Sequence, residues 1–286
     1  MGPGFRYHVA TIVAIFLALG VGMVIGSSHL QEALVERLRI QLRELNERFT
    51  NEIQPLRKDN EEKSKALGIL AARVTRNALK DIRVALVVTG DYGDAAQQAA
   101  DAMRKAGAAL ESTTVIPPSF PMRLDVGLPA LLPALKGALE DPQVDGRSLV
   151  FRRLASLIAF GGAPQIRKRF EEANLIEPNG SYGSKVNAVV LIGGARDVAE
   201  RRWQTVDYPL IDQLLALGAT VIGAEPSDAA QTYIPAYQAK GISTVDNVET
   251  EIGRTCLVLL VRGERGSYGM KKTARDGLLP LGTVAE

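Results

Sequence analysis

Val84–Asp94, VALVVTGDYGD, decides the fold class of this chain. The run VALVVT (Val84–Thr89) is short, β-branched and apolar without alternation, the pattern of a strand buried on both faces. Gly90-Asp-Tyr-Gly-Asp94 then turns the chain into a helix expected to run to about Ala106. Leu110–Ile116 reads as a second strand. Val186–Ile192 (VNAVVLI), which ends in Gly193-Gly194, reads as a core strand. Thr220–Gly223 and Ile242–Val245 complete the set. Helices are expected at Ser148–Ala159, Pro164–Ala173, Pro209–Leu217 and about Val248–Val261. Pro117, Pro118, Pro121, Pro129 and Pro133 punctuate a long connection with a short helix near Ala130–Leu139. Strands alternating with helices predict an α/β head, residues 81–286, with a mainly parallel, Rossmann-like sheet covered by helices.

Ligands of open α/β sheets gather at strand ends, so the turns there are the first place to look for chemistry. Gly90–Asp94 precedes a helix N-terminus, where a phosphate would bind. Asp91 and Asp94 would repel an anion, however, and Asp94 reads as a helix N-cap. The full dinucleotide pattern and the P-loop are both absent. Gly193-Gly194 and Glu225-Pro226-Ser227-Asp228 read as turns. The two histidines, His8 and His29, lie outside the head, so no Ser–His or Cys–His arrangement forms within it. No spacing singles out a catalytic carboxylate pair. These residues predict neither an enzyme nor a cofactor-binding protein.

Upstream of the head the composition changes twice. Charges are dense between Glu32 and Arg83, whereas Tyr7–Ser28 carries no Asp, Glu, Lys or Arg. The apolar run Val9–Gly26 has eighteen residues, roughly 27 Å of helix, just enough to cross a bilayer core. Gly20, Gly22 and Gly26 are tolerated in a membrane helix. Arg6, the apolar run and the small residues Gly26–Ser28 also fit a cleaved secretory signal. The run is longer than a usual signal core, however, and an amphipathic helix follows at once, so residues 1–28 are read as a tail and a retained single-pass anchor. Orientation stays open: Arg6 favours a cytoplasmic tail, while Arg37, Arg39, Arg43 and Arg48 favour the reverse.

Residues 29–80 read as a coiled-coil stalk. Val35, Leu38, Leu42, Leu45 and Phe49 step by threes and fours, the a and d positions of a heptad. Ile53, Leu56, Leu67, Leu70 and Val74 continue the seam, with Asn60 and Lys63 at intervening seam positions. A stutter separates the two segments beside Pro55, where a kink or interruption of the helix is expected. An apolar seam this narrow calls for another helix, from a second copy or from a coiled-coil partner. The alternative is that the helix lies on its own head. Unbroken from Gln31 to Ala78, the stalk would span roughly 72 Å.

The formal net charge of +2 gives no electrostatic case for nucleic acid. The single cysteine, Cys256, rules out an intrachain disulfide and reads as a buried small hydrophobe. Copper sites draw on Cys, Met or His, yet Met23, Met103, Met122 and Met270 are scattered, with no Met-x-x-Met, Cys-x-x-Cys or His-x-His. Metal ligands are therefore unassigned.

The order of these features resembles that of the mycobacterial copper transport protein B (MctB) family of envelope proteins. The resemblance rests on Tyr7-His8-Val9, Phe16–Gly22 and Ile25-Gly26-Ser27, followed at once by the heptads. It rests also on Val84–Gly90, Val189–Gly194, Thr244–Thr250, Gly266–Ala274 and Leu278-Leu279-Pro280. It implies copper transport or copper homeostasis at the cell membrane, with the C-terminal head outside the cytoplasm and copper as a transported ion. It carries over no copper ligands. Without the resemblance, the residues describe an envelope scaffold that recruits a partner through its coiled coil.

Overall fold

In the computed structural model, residues 3–135 and 145–280 are described. The chain divides into two compact units, Met1–Lys65 and Ala66–Glu286.

The first unit is helical. Helix α1 runs from Pro3 to Arg48, so the apolar stretch passes into the charged segment without a break. Phe49–Ile53 is one π turn, and α2 follows at Gln54–Thr75, with its last turns in the second unit. The interruption expected at Pro55 is thus replaced by a widened turn. The amide of Gln54 donates to the carbonyl of Phe49, five residues back. Pro55 has no amide to donate, and its ring would clash with the carbonyl four residues back in a regular helix. Widening the preceding turn relieves that clash and lets the helix continue.

The second unit is the expected α/β domain. After α2 come β1 (Arg83–Val88), α3 (Gly93–Lys105) and β2 (Ala109–Val115). Helices α4 (Phe120–Leu135), α5 (Gly146–Phe160) and α6 (Pro164–Glu172) follow, then β3 (Glu177–Gly180) and β4 (Ala188–Ile192). A π turn at Trp203–Asp207 leads into α7 (Tyr208–Ala216). The order closes with β5 (Thr220–Ala224), α8 (Ile234–Ala239), β6 (Ser243–Val245), α9 (Glu251–Arg262) and β7 (Ser267–Tyr268). The strands form one sheet in the order β3-β2-β1-β4-β5-β6-β7. Every pairing is parallel except that of β2 with β3.

Side chains alternate across this sheet with period two, and both faces are covered. Ala85 and Val87 of β1 point into the layer formed by α4 to α8, beside Val189, Leu191 and Val221. Val84, Leu86 and Val88 point the other way, onto Met103 of α3 and Leu257 and Leu260 of α9. Cys256 is fully buried in that second layer, as its apolar surroundings imply.

Three local expectations change. Helix α4 begins ten residues before Ala130 and holds Pro129 and Pro133 in its interior. Phe120, Leu124, Leu131 and Leu135, buried along it, pin the helix to the core despite the two lost amide donors. Residues 136–139 of the expected helix lie outside the described residues. Asp94 is not an N-cap: α3 starts at Gly93 after Tyr92, without a side-chain cap, and Asp94 sits in the first turn. There its charge still complements the helix dipole. Helix α9 starts at Glu251, not at Val248, and is capped by Thr250, whose hydroxyl accepts from the amide of Gly253 at 3.0 Å.

Candidate functional site

The strand order reverses at β1. The chain leaves β1 toward β2 on one side and returns with β4 on the other, which makes the β1/β4 carboxyl end the switch point where such sheets bind ligands. Here the chain's own atoms fill that crevice. A Cβ on Gly90 would lie 2.5 Å from backbone atoms of Gly193 and Gly194, so the two glycine turns close on each other. A Cβ on Gly193 would meet the Tyr237 hydroxyl at 2.1 Å, and one on Gly223 would meet the Tyr237 ring at 2.3 Å. Tyr233 and Tyr237, fully buried and packed edge to face at 6.2 Å between centroids, occupy the remaining space. These glycines make room for tyrosine rings.

A polar cluster lies beside those rings. Asp207, fully buried where the second π turn meets α7, accepts from the Tyr237 hydroxyl at 2.5 Å and from the Thr89 hydroxyl at 3.0 Å. Burial pushes its pKa up to about 6, although the Tyr237 and Thr89 hydrogen bonds and the charge of Arg202 pull it down. Arg202, itself buried, donates to Asp91 and lies 3.4 Å from Glu200. Asp91 also accepts from the amide of Arg196 at 3.0 Å. Burial pushes the Asp91 carboxyl up, but hydrogen bonds from Arg196 and Arg202 outweigh it and hold the pKa below the usual carboxylate range. The turn whose acids argued against a bound phosphate therefore carries a carboxylate already matched to an arginine.

Two further acids tie down the C-terminal segment. Glu225, after β5, accepts from Lys271 Nζ at 2.6 Å, the Thr232 hydroxyl at 2.5 Å and the amide of Tyr233 at 2.7 Å. Burial raises its pKa, and Lys271 opposes the rise. Asp246, after β6, accepts from the amide of Met270 at 2.7 Å and the Thr273 hydroxyl at 3.2 Å. A Cβ on Gly269 would lie 1.9 Å from an Asp246 carboxylate oxygen, so glycine is required for this seat.

The seam residues lie elsewhere. Val35, Leu38, Leu42 and Leu45 are on α1, Phe49 and Ile53 in the π turn, and Leu56, Leu67, Leu70 and Val74 on α2. All ten are exposed in the single chain, from 39% at Phe49 to 67% at Leu56. Only Leu67, Leu70 and Val74 are joined by other elements, in an apolar groove with Ile252, Thr255 and Leu279. Sequence reading missed Arg202, Asp207, Tyr233 and Tyr237. No motif marks them, because they meet only through the fold.

Among the described residues, no three His, Cys, Asp or Glu side chains are grouped so as to hold a metal ion. His8 is exposed on α1; the side chain of His29 lies outside the described residues. Tyr7–Val24 is the one helical stretch among the described residues long and apolar enough to cross a membrane, and none of it is buried.

Long-range relationships agree with this layout of apolar helix, charged helix and covered sheet. The family model described as "Copper transport outer membrane protein, MctB" matches residues 4–279. Copper transporter MctB of Mycobacterium bovis is 26% identical over a 300-residue alignment, covering 92% of this chain and 95% of the relative. The same protein from two strains of Mycobacterium tuberculosis matches equally. With the apolar helix, the charged helix and the sheet all inside the matched span, this chain belongs to the MctB family.

Proposed function

We propose that this chain serves copper transport or copper homeostasis at the cell envelope as a single-pass membrane protein, with its head outside the cytoplasm. The observation that carries the reading is the unburied apolar helix Tyr7–Val24 in a family described by copper transport and the outer membrane. Copper enters as cargo, with no ligand set assigned to this chain. The strands, two to seven residues long, lie in a sheet covered by helices. A membrane-spanning strand needs about 9–11 residues, so tethering by a helix fits better than a barrel.

In this reading the head is a Rossmann-like, non-catalytic module, and Tyr233 and Tyr237 filling the switch-point crevice supports that assignment. The exposed seam from Val35 to Val74 is a coiled-coil stalk, residues 29–80, that associates with itself or with a partner helix. That seam also favours a second reading, an envelope scaffold that acts by recruiting a partner.

A deletion strain decides between them. On the copper reading it accumulates copper and loses growth in copper-supplemented medium, and the intact gene reverses both. Unchanged copper content and sensitivity would overturn that reading. The scaffold reading would then be tested by Leu38→Asp with Leu45→Asp: partner capture in cross-linked cells that survives both changes would refute it.

A further inference from the structure

We propose that the groove between α2 and α9 on the head is a self-association surface, which seats α2 of a second copy of this chain. The inference deepens the stalk reading and rests on it, but it concerns residues of the α/β unit. Leu67, Leu70, Ala71 and Val74 of α2 line one side of the groove, and Glu251, Ile252 and Thr255 of α9 with Leu279 of the C-terminal segment line the rest. The groove has a volume of about 220 Å3. Leu67, Leu70, Val74 and Leu279 are 40%, 58%, 58% and 38% exposed. Exposed aliphatic side chains converging on one concavity mark a contact surface better than the same residues scattered singly.

Three observations select a second copy as the occupant. The groove-lining residues continue the heptad register that runs through Ile53 and Leu56, so a helix seated on that seam arrives at the groove in step. The seam's polar positions suit self-pairing. Asn60 at an a position meets Asn60 of a parallel twin, and Lys63 is already matched in its own helix by Asp59 at 2.7 Å. Ala66 and Ala71 flank the seam in the heptad register, Ala71 lines the groove, and small side chains there allow two helices to approach closely. A membrane anchor at the same distance from the seam in every copy favours this pairing further, since it confines copies to one orientation and raises their effective concentration.

Cysteine cross-linking of the full-length protein in native membranes tests the proposal. The native Cys256 is fully buried and does not compete. Leu70→Cys, at a d position, should give a disulfide-linked dimer on diamide treatment. Ile69→Cys, equally exposed but one step round the helix, should stay monomeric. Adding Leu279→Asp or Ile252→Asp should lower the Leu70→Cys dimer yield at least tenfold while a Leu38→Cys cross-link in the stalk persists. Leu279→Asp is the variant to rely on if Ile252→Asp fails to fold. A dimer from Leu38→Cys but none from Leu70→Cys would overturn the groove assignment and leave the stalk reading standing. Equal linking at Ile69 and Leu70, linking of Leu70→Cys to a different protein, or a yield unmoved by Leu279→Asp would also overturn it. Copper content of the same strains reads the copper function separately.

Discussion

Asp207 and Tyr237, thirty residues apart in sequence, share a 2.5 Å hydrogen bond in a fully buried position at the carboxyl end of the sheet. The bond joins α8 to the start of α7, and the Thr89 hydroxyl extends it to β1. Three elements that meet at the switch point are therefore tied through one carboxylate. That carboxylate titrates at about 6 because its charged form is costly to bury.

The pH dependence follows with a definite sign. The folded pKa of Asp207 lies above its ordinary value of 3.8, so between those values the folded head binds more protons than the unfolded chain. Its contribution to stability is then full below about pH 4, falls as pH rises to about 6, and is constant above. A shift of this size corresponds to about 3 kcal/mol. Asp207→Asn removes the titration. The difference in unfolding free energy between wild type and variant, from urea titrations at pH 4 and pH 7, should change by about 2–3 kcal/mol in favour of the variant at the higher pH. A difference that does not vary with pH would show that Asp207 is not buried in its charged form.

The crevice makes a steric prediction. Gly193→Ala sets a methyl against the Tyr237 hydroxyl, and Gly223→Ala sets one against the Tyr237 ring. Each should destabilise the head by about 1–3 kcal/mol through overpacking. Tyr237→Phe removes the hydroxyl but keeps the ring. It should therefore rescue part of the Gly193→Ala loss and none of the Gly223→Ala loss, as read by thermal unfolding of the three single and two double variants in two double-mutant cycles. If the head instead held an open ligand crevice, both glycine changes would be mild.

Lys271 is the charge partner of a fully buried carboxylate, Glu225. Lys271→Met should destabilise the head by about 3–5 kcal/mol at pH 7, because it leaves Glu225 buried and unmatched. The loss should shrink toward pH 5, since a Glu225 pKa already raised by burial rises further without the ammonium and the acid becomes protonated. Hydrogen exchange should report faster opening of residues 267–279, which Lys271 and Asp246 hold to the sheet. Protection unchanged across that segment would mean that Asp246 and the segment's other hydrogen bonds hold it without Lys271.

Legibility in the sequence followed the physics of each element. Strands β1, β4 and β5 announced themselves because burial on both faces demands a continuous apolar run, as in Val84–Val88. Strand β3, Glu-Pro-Asn-Gly, did not, since an edge strand with little burial can be made of turn residues and tolerates Pro178. The two residues of β7 and the six of α8 are too short for any periodicity. The polar cluster was hidden for another reason. Asp91, Arg202 and Asp207 each look like surface residues in the sequence, and only the return of the chain to β1 brings them together. The wide turn before Pro55 lies between these cases: the disturbance was legible, its form was not.

The anchor yields the sharpest test of placement. Val13 and Leu17 are one turn apart on α1 and exposed. In a membrane-spanning helix, arginine near the bilayer centre costs about 2.5–3.5 kcal/mol, and two such residues on one face exceed what the remaining apolar side chains contribute. Val13→Arg with Leu17→Arg should therefore move the protein from the membrane pellet to the alkaline-extracted supernatant. The head's thermal unfolding should be unchanged, because none of the span Tyr7–Val24 is buried. Protease added to intact spheroplasts should cleave the wild-type head, which places it outside the cytoplasm. A head protected in spheroplasts but cleaved after lysis would reverse the orientation. Retention of the double-arginine variant in the extracted membranes would mean that another surface holds the protein there.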